Sequence, residues 1–198
     1  MIEHRDDQGS KLGMWLFLFT ELLLFGMLFV VYAVYRSMHP EAFRIAGEEL
    51  DVVMGTVNTV ILLISSMTVA MSITAIQKGD KRRALQFLSV TLLIAVIFLV
   101  NKYFEWGTKF EYGFYPGGEP LLELGHGTIL FFGLYFFMTG LHALHILIGI
   151  GLFIYVIMQV KNEHIHKNDY VWLENTGLYW HLVDLIWIFL FPLFYLIH

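Results

Sequence analysis

The longest uncharged stretch of this chain ends at Val160, and its residues 128–160 read TILFFGLYFFMTGLHALHILIGIGLFIYVIMQV. It contains no Asp, Glu, Lys or Arg. A helix of about 20 apolar residues is long enough to cross the hydrocarbon core of a bilayer. The stretch therefore predicts a membrane-spanning helix, and its surplus length predicts that this helix tilts or projects from the bilayer.

Four further apolar stretches have the length of a membrane span. They cover residues 12–35, 52–76, 84–100 and 178–197, and the third extends to residue 106 if Lys102 snorkels toward the bilayer surface. Continuous apolar runs exclude a β-barrel, whose strands alternate polar and apolar residues. The sequence predicts an all-α integral membrane bundle of five transmembrane helices. We expect one transmembrane domain over residues 1–198, with helices at about 12–35, 52–76, 84–106, 128–160 and 178–197.

The composition is typical of a protein whose main solvent is lipid. Of the 198 residues, 58% are hydrophobic and 15% are charged, and the mean hydropathy is +0.66. Cys is absent, which excludes disulfides, thiolate metal sites and cysteine nucleophiles. No basic run suited to nucleic acid occurs. The first apolar stretch is too long for a signal peptide and contains Glu21, so we expect it to stay attached.

Lys and Arg are unequally divided between the two ends of the predicted bundle. One end has eight: Arg5, Lys11, Lys78, Lys81, Arg82, Arg83, Lys161 and Lys167. The other end has four: Arg36, Arg44, Lys102 and Lys109. The positive-inside rule then places the N-terminus in the cytoplasm and, after five crossings, the C-terminus outside. The turn-rich linker at 107–125, which includes Tyr115-Pro-Gly-Gly-Glu-Pro120, is predicted to be exterior and small.

Glu21 is the one charged residue of the first predicted span. It lies about nine residues, or roughly 14 Å, from the start of that span, near the centre of the membrane. An ionisable group at this depth costs a few kcal/mol, so it normally faces the bundle interior, pairs or serves a function. Two interpretations stand: a carboxyl group that hydrogen-bonds another helix, and a member of a proton path.

His142 and His145 are three positions apart and share one face of the fourth predicted span. A metal or haem site would need further ligands from other helices, so hydrogen bonds across helices are the favoured interpretation, and we predict no metal site. Small residues of the same span predict close packing against a neighbouring helix: Gly133, Gly140, Gly149 and Gly151.

The last predicted span brings His181 and Asp184 to one face, with Trp180 and Trp187 beside them. The two polar side chains are expected to pair with each other, or Asp184 donates a hydrogen bond as a neutral acid. A structural role is favoured over a chemical one for this face.

The second predicted span has a polar stripe at seven-residue spacing. It consists of Asn58, Ser65 and Ser72, with Thr68 beside them. Helix packing explains such a stripe better than a polar conduit does.

Motifs in order along nearly the whole chain resemble subunit III of cytochrome c oxidase. Residues 11–22, KLGMWLFLFTEL, are similar to the family helix with an early glycine-methionine and a central Ser/Thr-Glu, and Glu21 matches the family's buried glutamate. Next come Val57-Asn-Thr59 and the charged turn Lys78-Gly-Asp-Lys-Arg82, and then Glu105-Trp106, which resembles a Glu-aromatic pair. Residues 140–149, GLHALHILIG, resemble Gly-x-His-x-x-His-x-x-x-Gly, and residues 179–187, YWHLVDLIW, resemble Trp-His-Phe-Val-Asp-x-x-Trp.

This resemblance implies a non-catalytic subunit of a proton-pumping haem-copper terminal oxidase in aerobic respiration, in the bacterial inner membrane. Haem and copper would belong to partner subunits, with no cofactor except bound phospholipid in this chain. The chain would pack on catalytic subunit I, stabilise it, hold lipid and assist proton uptake, with Glu21 facing that subunit. The resemblance gives three proton-path or buried-carboxyl candidates: Glu21, Glu105 and Asp184. It gives five interhelix or lipid contacts: His142, His145, His181, Trp180 and Trp187.

Two departures from the family pattern matter. Members of mitochondrial type have seven helices, and this chain begins with the equivalent of their third, so it resembles the short bacterial form. Gln159 stands where long forms carry an arginine, and Lys161 or His164 are expected to serve a lipid headgroup instead.

Other functions remain open at this stage. Subunits of quinol oxidases and of nitric oxide reductases have a similar helix pattern. A small transporter is expected to show inverted repeats or broken helices, and neither is evident in the sequence. A haem-binding cytochrome would use His142 and His145 as ligands.

Overall fold

The computed structural model describes residues 7–115, 117–118, 121 and 125–196. In that part of the chain it contains α1 (Asp7–Met38), α2 (Pro40–Glu48), α3 (Val52–Gln77), α4 (Lys81–Glu111), α5 (His126–Lys161) and α6 (Val171–Phe191), and a π-helical turn (Pro192–Leu196) follows α6. All of these helices except α2 are long and apolar enough to cross a bilayer, α6 being counted together with its π-helical turn. The prediction of an all-α bundle with five membrane-spanning helices is confirmed.

Acidic side chains fix where α3 and α4 begin. Asp51 accepts a hydrogen bond from the Met54 amide at 3.0 Å, and Asp80 accepts one from the Arg83 amide, also at 3.0 Å. Each bond satisfies one of the amides that a helix N-terminus leaves without an intrahelical partner. Since Gly79 adopts φ +76°, the chain can reverse between α3 and α4, and the two helices pack side by side as an antiparallel pair.

The short helix α2 was not predicted, because its mixed composition gives no membrane-span signal. Its apolar face is nevertheless buried: the Phe43 ring lies edge-on to Tyr32 and to Phe131, at 5.4 Å in both cases. On its outer face Arg44 contacts Glu41 at 2.7 Å, and the hydrogen bond and charge of this guanidinium lower the pKa of the Glu41 carboxyl. α2 is thus an amphipathic cover over α1 and α5 rather than a span.

The core lies between α3, α4, α5 and α6 and is mainly aromatic. Its largest fully buried side chains include Trp180, Trp187, Tyr135, Tyr195, Phe98 and Phe153. α6 packs against both α3 and α5, whereas α1 contacts α2, α5 and α6. Only 11% of the most apolar window of α1 is buried within the chain, against 56% for the span that contains α6. α1 therefore leaves most of its apolar surface open.

The predicted exterior turn falls partly outside the described residues. Pro116, Glu119 and Pro120 belong to the part that is not described, whereas Tyr115, Gly117 and Gly118 are described. The α4 helix extends beyond its predicted end at residue 106 as far as Glu111. One reason is that Lys109 turns inward, where its ammonium donates to the Glu49 carbonyl.

Candidate functional site

A carboxyl–imidazole pair joins α1 to α5 at the edge of the bundle. The Glu21 carboxyl Oε2 lies 3.0 Å from His145 Nε2, with side-chain exposures of 14% and 9%. His145 Nδ1 lies 2.8 Å from the Leu141 carbonyl oxygen, which can only accept, so Nδ1 carries a hydrogen. Nε2 then either accepts a proton from a neutral Glu21 or donates one to its carboxylate. The Glu21–His145 pair thus shares one transferable proton.

Aromatic rings enclose this pair on the side of the bundle interior. The Phe25 ring lies edge-on to the His145 ring at 5.5 Å, and Tyr179 stacks on it at 6.4 Å. The Tyr179 hydroxyl donates to the His145 carbonyl at 2.9 Å. The hydrogen bond that the His145 side chain was expected to make across helices is the one with Glu21 of α1. Sequence reasoning singled out both members of the pair but did not predict that they meet.

A second ionic group lies wholly inside the bundle, where α4, α5 and the π-helical turn converge. The Lys102 ammonium donates to Glu105 Oε2 at 3.1 Å, to the Tyr195 hydroxyl at 2.9 Å and to the Tyr135 hydroxyl at 3.2 Å. Both phenols donate to Glu105 Oε1, Tyr135 at 2.5 Å. All three ammonium donors and both carboxylate oxygens are thereby used. We call these four residues the Lys102 cluster.

The Lys102 cluster corrects an expectation, because Lys102 was predicted to snorkel outward. The structure instead buries this side chain, with 3% exposure for both Lys102 and Glu105. The ammonium also lies 5.2 Å from the centre of the Trp187 ring, a cation–π contact. The i,i+3 spacing of lysine and glutamate was the signal that could have revealed the pair.

His181 and Asp184 do not bond each other, contrary to the expected pairing. His181 Nδ1 bonds the Ser66 hydroxyl of α3 at 2.6 Å instead. Asp184 is buried, and neither of its carboxyl oxygens has a hydrogen-bond partner among the described residues, although the Ser66 side chain lies close to it. A buried carboxyl without a partner is costly unless it is protonated or hydrated.

His142 also differs from expectation, because neither ring nitrogen makes a hydrogen bond among the described residues. Its ring packs against Trp187 at 5.1 Å and against Phe98 at 5.6 Å. The same Trp187 ring contacts the Lys102 ammonium, so His142 and the Lys102 cluster share this neighbour. In the described part of the chain, no cluster of three or more His, Cys, Asp or Glu has the arrangement of a metal site.

The two tryptophans of α6 bind α3 through their indole nitrogens. Trp180 Nε1 donates to the Ser65 hydroxyl at 2.9 Å, and Trp187 Nε1 donates to the Thr59 hydroxyl at 3.0 Å. The polar stripe of α3 also bonds α4, through the Thr68–Thr91 hydroxyl pair at 2.7 Å. The helix-packing interpretation of the stripe is confirmed.

One glycine of α5 makes the predicted close approach. A Cβ atom at Gly149 would lie 2.6 Å from the Trp180 ring, so only glycine fits there without displacement. Gly133 and Gly151 have nothing within 4 Å at the same point, and the prediction of close packing is wrong for them. At Gly140 the added Cβ would lie 3.4 Å from the Trp106 ring, which is an ordinary van der Waals contact.

Comparison with known proteins agrees with this architecture over nearly its whole length. The family model for cytochrome c oxidase subunit III matches residues 3–198. Cytochrome c oxidase subunit 3 of Thermostichus vulcanus is 34% identical over 98% of this chain and 90% of that protein. A probable quinol oxidase subunit 3 of Staphylococcus haemolyticus is 28% identical over 99% of this chain and 94% of that protein.

A third relative has a different organisation. The haem-copper oxidase subunit I+III of Aeropyrum pernix is 28% identical over 99% of this chain, which covers 24% of that longer protein. The family model matches residues 3–198, and the Thermostichus vulcanus protein is more than 30% identical over 90% of its own length. The chain belongs to the cytochrome c oxidase subunit III family, the accessory subunits of oxygen-reducing haem-copper oxidases.

Proposed function

We propose that this chain is the third subunit of a proton-pumping haem-copper terminal oxidase of a bacterial cytoplasmic membrane. It packs against catalytic subunit I, keeps that subunit stable during turnover and assists its proton uptake. The observation that carries the proposal is the Glu21–His145 pair at the edge of the bundle, on α1, which is the least buried of the five membrane-spanning helices. Haem and copper belong to the partner subunits.

The contact with subunit I is supported by the open side of α1. Large apolar side chains project from it, among them Trp15, Leu23 and Met27, each more than half exposed. A contiguous apolar surface of this kind suits either lipid or another membrane helix. The fused subunit I+III relative supports the second occupant, because fusion holds the two parts in one complex.

A role in proton uptake is supported by the chemistry of the Glu21–His145 pair. The proton between Oε2 and Nε2 can reside on either atom with no change in the net charge of the pair, and the pair gains or loses charge when a proton arrives from, or leaves to, a neighbouring group. The Glu21 carboxyl points toward His145 of α5, and the Glu21 side chain is still 14% exposed at the surface of the bundle. It thus adjoins the surface offered to subunit I.

The orientation with the N-terminus in the cytoplasm is part of the same proposal. It is supported by the excess of Lys and Arg at the end of the bundle that contains the α3–α4 turn. Bound phospholipid is a further part, supported by the many exposed apolar side chains between the charged ends. The electron donor is proposed to be cytochrome c, with quinol as the alternative that the quinol oxidase relatives favour.

Purification through a tag on this chain tests the assembly. The expected result is co-purified haem absorbance and oxygen consumption driven by reduced cytochrome c. Activity with quinol alone would replace the donor, and a colourless single chain would refute the oxidase role.

A Glu21→Gln complex tests the proton role separately. Glutamine retains the size and hydrogen-bonding capacity of the side chain but not its transferable proton. We expect slower proton uptake at high turnover, with normal haem content. The matched control is Glu111→Gln, which neutralises an exposed carboxyl at the end of α4. Equal uptake in Glu21→Gln and wild-type complexes would refute this part of the proposal.

A further inference from the structure

We infer that the groove between α3 and α4, at the end of the bundle formed by their connecting turn, binds one anionic phospholipid. The groove has a volume of about 500 Å³. Its apolar wall is lined by Met67, Ala70, Met71 and Phe87, and its far end carries Lys78 and Arg83. This site lies on α3 and α4, away from the Glu21–His145 pair and from Lys161 and His164.

The length of the groove matches one acyl chain. Met67 and Lys78 are separated by eleven positions of α3 and its C-cap, which corresponds to roughly 16 Å along a helix axis. Half of the hydrocarbon core of a bilayer is about 15 Å thick. The apolar end of the groove thus lies near the bilayer centre, and its charged end lies at the level of the headgroups. A phospholipid in one leaflet has its acyl chains and its headgroup at these same two levels.

The apolar wall is suited to a flexible chain. Met67 is 57% exposed and Met71 is 40% exposed among the described residues. Unbranched thioether side chains adapt to irregular apolar surfaces more easily than branched ones do. The small Ala70 between them leaves the depth that an acyl chain needs.

The charges at the headgroup end favour an anion. Lys78 makes no ion pair or side-chain hydrogen bond with the described residues. Arg83 Nε contacts Asp80 Oδ2 at 3.2 Å, so one of its donors is used and its terminal nitrogens remain available. Asp80 neutralises one of the two cations. The net charge of about +1 therefore matches a headgroup with a single phosphodiester charge.

Other cations of the same end are engaged differently. Lys81 is bound to Glu163 at 3.0 Å and to the Lys161 carbonyl at 2.9 Å. It ties α4 to the end of α5 and points away from the groove. Of the cations at this end, Lys78 and Arg83 are the two that line the groove.

The inference deepens the lipid-holding part of the proposed function, and its test can fail independently of the oxidase role. The purified complex is delipidated and supplied with dioleoyl phosphatidylglycerol or dioleoyl phosphatidylcholine, and retained lipid is counted by native mass spectrometry. Haem content and oxygen consumption are measured on the same samples. Loss of haem partners therefore concerns the oxidase role, whereas lipid counts concern the groove.

The decisive variant is Lys78→Gln/Arg83→Gln. We expect its affinity for phosphatidylglycerol to fall about tenfold, since each cation near an anionic headgroup contributes to binding. The matched control is Arg82→Gln/Lys167→Gln, which removes two exposed cations of the same end that do not line this groove. An unchanged affinity, an equal loss in the control, or equal retention of phosphatidylcholine by the wild type would overturn the inference.

A second variant tests the apolar wall. Ala70→Trp fills the groove without changing charge and is expected to reduce retained phosphatidylglycerol, whereas Val96→Trp, on an exposed position of α4, is not. Inorganic phosphate at millimolar concentration is the probe for headgroup chemistry alone. Full displacement of the lipid by phosphate, together with normal binding in Ala70→Trp, would show that the apolar wall plays no part.

Discussion

Replacing Glu105 by glutamine leaves a buried ammonium without its carboxylate, and we expect this to be among the most destabilising single changes in the chain. The Lys102 Nζ to Glu105 Oε2 distance is 3.1 Å. At an effective dielectric constant of about 20, two unit charges at that separation attract by about 5 kcal/mol. Removing one partner of a buried pair generally costs about 3–5 kcal/mol. We therefore expect Glu105→Gln to lower the free energy of unfolding by about 3–5 kcal/mol.

The double variant Lys102→Met/Glu105→Gln removes both charges and should be much less harmful. Well-packed apolar replacements of buried ion pairs are often neutral or stabilising. The two phenols of the Lys102 cluster can still bond to each other and to the glutamine. We expect the double variant to lie within about 2 kcal/mol of the wild type, so that the two single effects are strongly non-additive.

The assay is reversible unfolding in mixed micelles, followed by loss of helical circular dichroism. Glu111→Gln is the control, because its carboxyl is exposed at the end of α4. A cost below about 1 kcal/mol for Glu105→Gln, or additive single effects, would refute the reasoning that this pair is buried and ionised.

Two further predictions concern packing and pH. Gly149→Ala places a methyl group 2.6 Å from the Trp180 ring and should lower the free energy of unfolding by about 1–3 kcal/mol through overpacking. Gly151→Ala is the control, because open space surrounds that position, and it should not destabilise the chain. Unfolding in micelles measures both variants, and equal effects would contradict the packing at Gly149. The Lys81 ammonium lowers the pKa of Glu163, so the stability from this contact is present at neutral pH and lost as the pH falls through that lowered value. The melting temperatures of the wild type and of Glu163→Gln should therefore differ at pH 7. They should converge below about pH 4, where the pH lies below the ordinary carboxyl pKa and Glu163 takes up a proton. A difference in melting temperature that stays constant with pH would contradict this.

The membrane spans were predictable because hydropathy over about 20 residues is a local property of the sequence. Helix ends were less predictable, since they depend on contacts that a hydropathy pattern does not contain. Lys109 was counted with a linker, for example, yet its contact with the Glu49 carbonyl belongs to a longer α4. α2 was missed because a short helix with charged residues shows its apolar face only when Phe43 has a place to pack.

The candidate site was predicted as single residues and not as pairs. Glu21 and His145 are separated by 124 positions, and no pattern within either helix indicates that they meet. Lys102 was misplaced for a related reason. An amphipathic lysine near the end of a span is usually drawn outward, and besides Glu105 its acceptors are Tyr135 and Tyr195, which lie on other elements. His181 and Asp184 share a face of one helix, but Ser66 of α3 bonds the histidine.

The π-helical turn after α6 affects the order in which this chain is assembled. Its Tyr195 bonds Lys102 across 93 positions of sequence, whereas Glu105 is only three positions away and Tyr135 is 33. During synthesis α4 therefore enters the bilayer with its lysine matched only to its own glutamate. The first phenol arrives with α5, and the second arrives only when the final turn has been translated. Until that turn is in place the ammonium lacks one of its three acceptors, so the ionic group at the centre of the bundle is complete only when the last span has packed.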